Sequence, residues 1–261
     1  MSSTSTNTAH HRLSTDTHLG PLHLHAQLNL TTPWTVIFGP SGSGKSSILR
    51  AACGLLPSNK SRPCFSFCHS PRPGQSESAV TSTGPNTASG WTTLDSTPPH
   101  RRNLAYAPQG AILFPHLSVR ENIAFASTAR NLPTNSHLIE TAINLFDLAP
   151  LANRQPRDLS GGERQRVNLA RAFAVPSAHL MLLDEPFTGI GRALRETLLP
   201  RIQHHAAQLG IPVLSVTHDV EEALLLNAEV IRLDNGRVTA QGPASDVLAA
   251  ERTSILQALH R

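Results

Sequence analysis

Apolar residues occupy every second position from Leu22 to Leu30, so Leu22, Leu24, Ala26, Leu28 and Leu30 share one face of a half-buried strand. His23 and His25 fall on its polar face, and with no third ligand in view a solvated strand face is the expectation there. Val36-Ile-Phe38 does not alternate and suits a strand buried on both sides, as do His179–Glu185 and Ile211–Thr217. Asn103–Gln109 reads as a strand ending in a polar turn. Helical spacing is found over Ser46–Cys53, where Gly54 supplies a stop, and around Leu138–Leu148. Ser118–Phe125 opens with Ser-x-x-Glu, and a longer helix carries Val167, Leu169, Ala170 and Phe173. Asn235-Gly236 marks a hairpin within 230–238, and 244–261 reads as a C-terminal helix. Residues 1–18 are polar and low in complexity, which predicts disorder, and 57–100 is a Ser/Pro/Thr/Gly-rich irregular insertion. The pattern predicts one α/β domain over 19–243, with 110–175 forming an inserted helical lobe.

Between the strand ending at Phe38 and the following helix lies Gly39-Pro-Ser-Gly-Ser-Gly-Lys-Ser46. Gly39, Gly42 and Gly44 allow positive φ, so that several N–H groups turn towards one point, and the helix N-terminus adds about half a positive charge. This is a phosphate cradle, in which Lys45 would reach the outer phosphates and the Ser46 hydroxyl would ligate Mg²⁺. Asp184-Glu185 closes an apolar strand; side chains alternate along a strand, so Asp184 can face Mg²⁺ while Glu185 faces the γ-phosphate. Gln109, Asp184-Glu185 and His218 all stand at carboxyl ends of strands, where open α/β sheets collect ligands. Ser160-x-x-Glu163 is a capping box, but a cap does not require Gly161 and Gly162, which weaken a first turn; they predict close approach of a group to the backbone.

Composition narrows the setting. The 261 residues are 39% hydrophobic, sufficient for a substantial core, and the formal charge is +4 with 14 histidines counted neutral. Only 4% are aromatic and no dense Lys/Arg stripe occurs, so no nucleic-acid partner is expected. The three cysteines, Cys53, Cys64 and Cys68, form no disulfide framework, and a reducing compartment is the default. Cys64-x3-Cys68-His69 has half of a zinc spacing without a second pair of ligands. No apolar run approaches the roughly 20 residues that cross a bilayer. A cytoplasmic protein is expected, any membrane association coming through a partner.

From about Leu19 to Gly242 the chain resembles the ATP-binding subunits of ABC transporters. The likeness rests on the phosphate loop, Gln109 at the Q-loop position, the signature Leu159-Ser-Gly-Gly-Glu163, the Walker B strand Leu180–Asp184 with Glu185, and His218 at the switch-histidine position. It implies a P-loop NTPase with a RecA-like core, an antiparallel β subdomain and an inserted helical subdomain. It further implies ATP and Mg²⁺ as cofactors and a head-to-tail pairing, as a homodimer or with another ATPase subunit. Gly39, Pro40, Ser41, Gly42, Ser43, Gly44, Lys45, Ser46 and Ser47 then bind ATP, while Ser160, Gly161, Gly162 and Glu163 bind the ATP of the partner subunit. By the same likeness Ser46, Gln109 and Asp184 hold the metal, Glu185 polarises the attacking water and His218 contacts the γ-phosphate.

Within that family the segments Pro98-Pro-His-Arg-Arg102, Leu113–Asn122, Pro186-Phe-Thr-Gly and Arg195–Arg201 look like those of molybdate and sulfate-type importers. The resemblance implies import of molybdate or a related oxyanion through a separate membrane permease, with a periplasmic or extracellular solute-binding protein and a position on the inner face of the membrane. Phe114, Pro115 and His116 become the candidates for the permease contact. Several features depart from the family pattern. Gly191 stands at the usual D-loop aspartate, and no aromatic near 17–20 stacks on adenine, leaving His18 as a substitute. The insertion is long, and the sequence stops before the C-terminal oxyanion-binding domain of many molybdate importer subunits, so regulation by that route is not expected. The alternatives are a nucleotide-dependent binding module with little turnover, an importer ATPase for another substrate, and a soluble ABC protein of repair or translation.

Overall fold

The computed structural model of the protein describes residues 11–56, 66–69, 92–94, 97–128, 136–175 and 178–259. Parallel strands form its centre: β3 (Trp34–Phe38), β6 (Leu104–Ala107), β7 (Leu180–Asp184) and β8 (Val213–Thr217) lie in the order β3-β8-β7-β6. β9 (Glu229–Asp234) runs parallel to β3 on its other side and turns through Asn235-Gly236 into antiparallel β10 (Arg237–Pro243). Beyond β10 lie β2 (Leu22–Leu30) and β1 (His11–Leu19), then β4 (Ser66–His69) and β5 (Thr92–Thr93), giving ten strands in one sheet among the described residues.

The non-alternating strands are apolar throughout because both faces are covered. Val36, Phe38, Met181, Leu183, Val213 and Val230 point into one core, shared with the helices; Ile37, Leu180, Leu182, Leu214, Val216 and Ile231 point into the other, beneath β1, β2 and α1 (Lys45–Ala52). Trp34 is buried at the start of β3, where its indole N–H donates to Ser215 Oγ at 3.0 Å. Between β6 and β7 the chain makes the helical lobe: α2 (Val119–Thr128), α3 (Ser136–Leu145) and α4 (Gly161–Phe173), with α4 packed on α2 and β6. After β7 come α5 (Arg192–Leu209), then α6 (Val220–Leu225) following β8.

Three expectations require correction. Residues 11–18, assigned to a disordered tail, belong to β1, which pairs with β2 in register from His11–Leu30 to Leu19–Leu22. Arg12, Asp16 and His18 are exposed while His11, Leu13 and Thr15 are buried, so cross-strand pairing orders a segment whose own composition does not. The insertion is not wholly irregular: Ser66–His69 pairs with β1 and Thr92–Thr93 with β4, extending the antiparallel sheet. Cys64 and the Cys68 and His69 side chains lie outside the described residues. The C-terminal helix is two helices, α7 (Ala244–Val247) and α8 (Ala249–Leu259), because the Arg232 guanidinium takes the Val247 carbonyl at 2.8 Å and buried Leu248 turns the chain.

Candidate nucleotide site

The phosphate loop leaves β3 and enters α1 through left-handed glycines, Gly42 at φ 81° and Gly44 at φ 100°. Gly44 is the helix N-cap and has no side chain to occupy the first N–H groups, which are thereby left to an incoming anion. Gly39 is required for a different reason than positive φ: a Cβ there would meet the Leu233 carbonyl oxygen at 2.0 Å. The loop is anchored from outside by Gly236, whose N–H donates to Ser43 O at 3.1 Å. Lys45 is buried, and its ammonium donates to Gly39 O at 2.8 Å and Pro40 O at 2.7 Å, spanning the loop. Desolvation lowers its pKa, opposed by the charges of Glu185 and Asp184.

Ser46 Oγ donates to Asp184 Oδ1 at 2.8 Å, joining the first turn of α1 to the end of β7. Asp184 is fully buried, its pKa raised by that burial, and its Oδ2 has no hydrogen-bond partner. A buried carboxylate oxygen left over beside a hydroxyl is a hard-oxygen donor set of the kind Mg²⁺ takes, and a dication would offset the desolvation cost. The Gln109 side chain is exposed, two residues beyond the end of β6.

Alternation along β7 stops at Asp184, because Glu185 has φ 47°. A non-glycine residue in this region costs on the order of 1–3 kcal/mol and is kept only where its surroundings over-determine it. Those surroundings are identifiable: Glu185 N–H donates to Val216 O at 3.0 Å, and buried Gln165 donates to Pro186 O at 2.9 Å and Glu185 O at 3.4 Å. The Glu185 carboxylate stands 3.3 Å from His218 Nδ1 and accepts from Thr188 Oγ1 at 3.3 Å. Asp184 and Glu185 thus separate as expected, one to Ser46 and the other to His218, through a backbone turn in place of the pleat. Sequence reasoning missed Gln165; only its position on α4 facing the turn after β7 reveals its part.

The capping box at α4 is present, with Ser160 N–H on Glu163 Oε2 at 2.7 Å and Glu163 N–H on Ser160 Oγ at 3.3 Å. Its glycines differ. A Cβ on Gly162 would meet Gly189 O at 2.8 Å, an approach within the chain, whereas a Cβ on Gly161 meets nothing within 4 Å. Among the described residues no hydrogen bond or ion pair connects Ser160, Gly161, Gly162 or Glu163 to the phosphate loop. Gly191 is the N-cap of α5, without a capping side chain. His18, the substitute adenine platform, has its ring stacked on His23 at 4.3 Å.

After Gln109 the chain presents Ile112 and Phe125 to solvent, with Phe114 packed on Phe125 at 4.1 Å and 6.2 Å from His116. Buried Asn122 shapes this turn: its carbonyl accepts from Phe114 N–H at 2.8 Å, and its amide donates to Phe114 O, Leu117 O and Ser118 O. No described helix is long and apolar enough to cross a membrane.

A glycine-rich loop between a buried strand and a helix, with a serine–aspartate pair beneath it and a glutamate–histidine pair beside it, defines a P-loop NTPase domain with an inserted helical lobe. The family model described as ABC transporter matches residues 28–188, and the chain belongs to that family. It is 36% identical over 219 residues to "Molybdenum import ATP-binding protein ModC" of Albidiferax ferrireducens, covering 82% of this chain and 53% of that protein. Identity to the protein of the same name from Rhizobium meliloti is 37% over 240 residues, covering 88% and 59%. "Molybdate/tungstate import ATP-binding protein WtpC" of Archaeoglobus fulgidus is 30% identical over 241 residues, 92% of this chain and 90% of its own. The chain spans about half the length of the first two molybdenum import relatives it matches.

Proposed function

We propose that this chain is the ATP-binding and hydrolysing subunit of an importer of molybdate or a related oxyanion, working through a separate membrane permease. The observation that carries the proposal is the junction at the carboxyl edge of the sheet: the Ser46–Asp184 pair with its spare buried oxygen, and Glu185 beside His218. The names of the relatives above supply the substrate class. In this reading Gly39–Ser47 cradle the phosphates of ATP, and Ser46, Gln109 and Asp184 would hold Mg²⁺, which would neutralise phosphate charge. Glu185 accepts the proton of the attacking water as its oxygen bonds to the γ-phosphorus and the bridging oxygen leaves with ADP. His218, through Nδ1, orients that carboxylate and meets the γ-phosphate. Open space over Gly161, at an N-terminus with no internal phosphate to serve, fits it to the γ-phosphate held by a second subunit. The exposed Ile112, Phe114 and Phe125 surface is the permease contact in the same reading. A solute-binding protein completes the importer, with this subunit at the inner face of the membrane.

Mg-ATP hydrolysis by the purified protein beside Glu185→Gln, with dimerisation followed by light scattering, tests this. Turnover in the wild type and an ATP-trapped dimer in the variant are expected; equal turnover in both removes Glu185 from the mechanism. A second reading, ATP binding and dimer closure with little turnover, is favoured by the missing side chain at Gly191.

A further inference from the structure

On the outer face of the β1–β2 hairpin the fold supplies the third ligand that His23 and His25 lack in sequence. Asp16 is the register partner of His25 and lies diagonal to His23, which is itself opposite His18. One carboxylate oxygen is 2.7 Å from His23 Nε2 and the other 3.4 Å from His25 Nδ1. One donor atom from each of the three side chains lies within 4.8 Å of the other two. We infer that Asp16, His23 and His25 form a binding site for a divalent first-row transition-metal ion, with Zn²⁺ as its representative occupant.

Geometry and chemistry support this independently of the nucleotide site. At Zn–N and Zn–O lengths near 2.0–2.1 Å, tetrahedral ligand atoms are about 3.3 Å apart, and here the carboxylate stands between the imidazoles with one oxygen 2.7 Å from His23 and the other 3.4 Å from His25. All three side chains are partly exposed, so closing on an ion requires rotation about χ angles and no backbone movement. The backbone beneath them is held by ladder pairing over the full length of both strands. His18 stacks on the His23 ring and restrains its plane, with ring planes 2° apart. Two imidazoles and one carboxylate suit zinc, nickel, copper or iron, whereas Mg²⁺ and Ca²⁺ demand more oxygen donors. The site also connects to the phosphate loop, since His25 N–H donates to Gly236 O at 2.8 Å and Gly236 N–H to Ser43 O at 3.1 Å.

The test is Zn²⁺ titration of the full chain by calorimetry, without nucleotide, for wild type, His23→Gln, His25→Gln, Asp16→Asn and a Cys64→Ser/Cys68→Ser double variant. One equivalent is expected in wild type and in the cysteine variant. Affinity falls in each of the other three by at least the ~10–100-fold that loss of even a second-shell partner costs. Co²⁺ should give a visible spectrum with no thiolate charge-transfer band. Zn²⁺ should also raise the melting temperature of wild type and leave that of folded His23→Gln and His25→Gln unchanged. No stoichiometric binding, binding that survives in all three hairpin variants, or binding lost with the cysteines would each overturn the site.

Discussion

The Glu185 carboxylate is held 3.3 Å from both His218 Nδ1 and Thr188 Oγ1 on a left-handed backbone, a conformation fixed by the bond from Glu185 N–H to the Val216 carbonyl and by those that Gln165 donates. Replacing that carboxylate by an amide keeps the packing and removes the proposed proton acceptor. Glu185→Gln is therefore expected to lose about 10²–10⁴-fold in turnover, measured by steady-state hydrolysis, while ATP affinity stays at the wild-type value. The two glycines separate a folding role, at Gly162, from the binding role proposed for Gly161. Gly162→Ala drives a methyl against Gly189 O and is expected to cost about 1–3 kcal/mol in urea unfolding. Gly161→Ala meets open space, so its unfolding midpoint stays at or above wild type while hydrolysis falls. Equal stability loss in both variants would contradict this division.

At the scale of elements, turns are shaped by side chains that sequence inspection passes over. Asn122 satisfies one N–H and three carbonyls between Phe114 and Ser118 from a fully buried position at the start of α2. Asn122→Ala removes the partner of Phe114 N–H and of the Leu117 carbonyl, while the Phe114 and Ser118 carbonyls keep the backbone N–H groups of Leu117 and Asn122. It should destabilise the chain by about 1–3 kcal/mol, and proteolysis should fall first between Phe114 and Ser118. At the head of α5, Gly191 has φ −58° and a Cβ there would meet nothing within 4 Å, so an aspartate fits without strain. Gly191→Asp is expected to add a few tenths of a kcal/mol through capping, read by denaturant midpoint. If subunit communication limits the ATPase, turnover rises with it; unchanged turnover assigns the limit elsewhere.

Across the whole molecule, stability depends on pH through a group outside the expected site. Glu222, on α6, is buried against Thr217 Oγ1 at 3.1 Å, and its pKa is pushed up to about 8, first by burial and further by the charges of Asp219 and Glu185. The folded chain keeps this proton between the ordinary value of 4.5 and about 8, a window in which the unfolded chain has released it. Unfolding then releases a proton, so stability falls as pH rises through that window and levels off above it. Glu222→Gln is expected to flatten that slope in urea midpoints taken from pH 5 to pH 8, its amide oxygen still accepting from Thr217. A slope equal to that of wild type would reject this assignment.

The central strands, the phosphate loop and the hairpin at Asn235-Gly236 were legible because each is a local pattern: continuous burial, glycine spacing, a two-residue turn. The same holds for the Ser160–Glu163 box, whose two bonds lie within four residues. What the chain could not announce depends on partners distant in sequence. β1 is ordered by pairing along β2, and Gly39 and Gly162 are required by the carbonyls of Leu233 and Gly189. Gln165 reaches a turn 20 residues away, and Asp16 meets His23 and His25 only across a ladder. Local sequence therefore determined the central strands, the glycine-rich loop, the Asn235-Gly236 turn and the Ser160–Glu163 cap. Tertiary structure alone decided which side chains share a carboxylate, a carbonyl or an ion, since those contacts form only when separated segments are packed together.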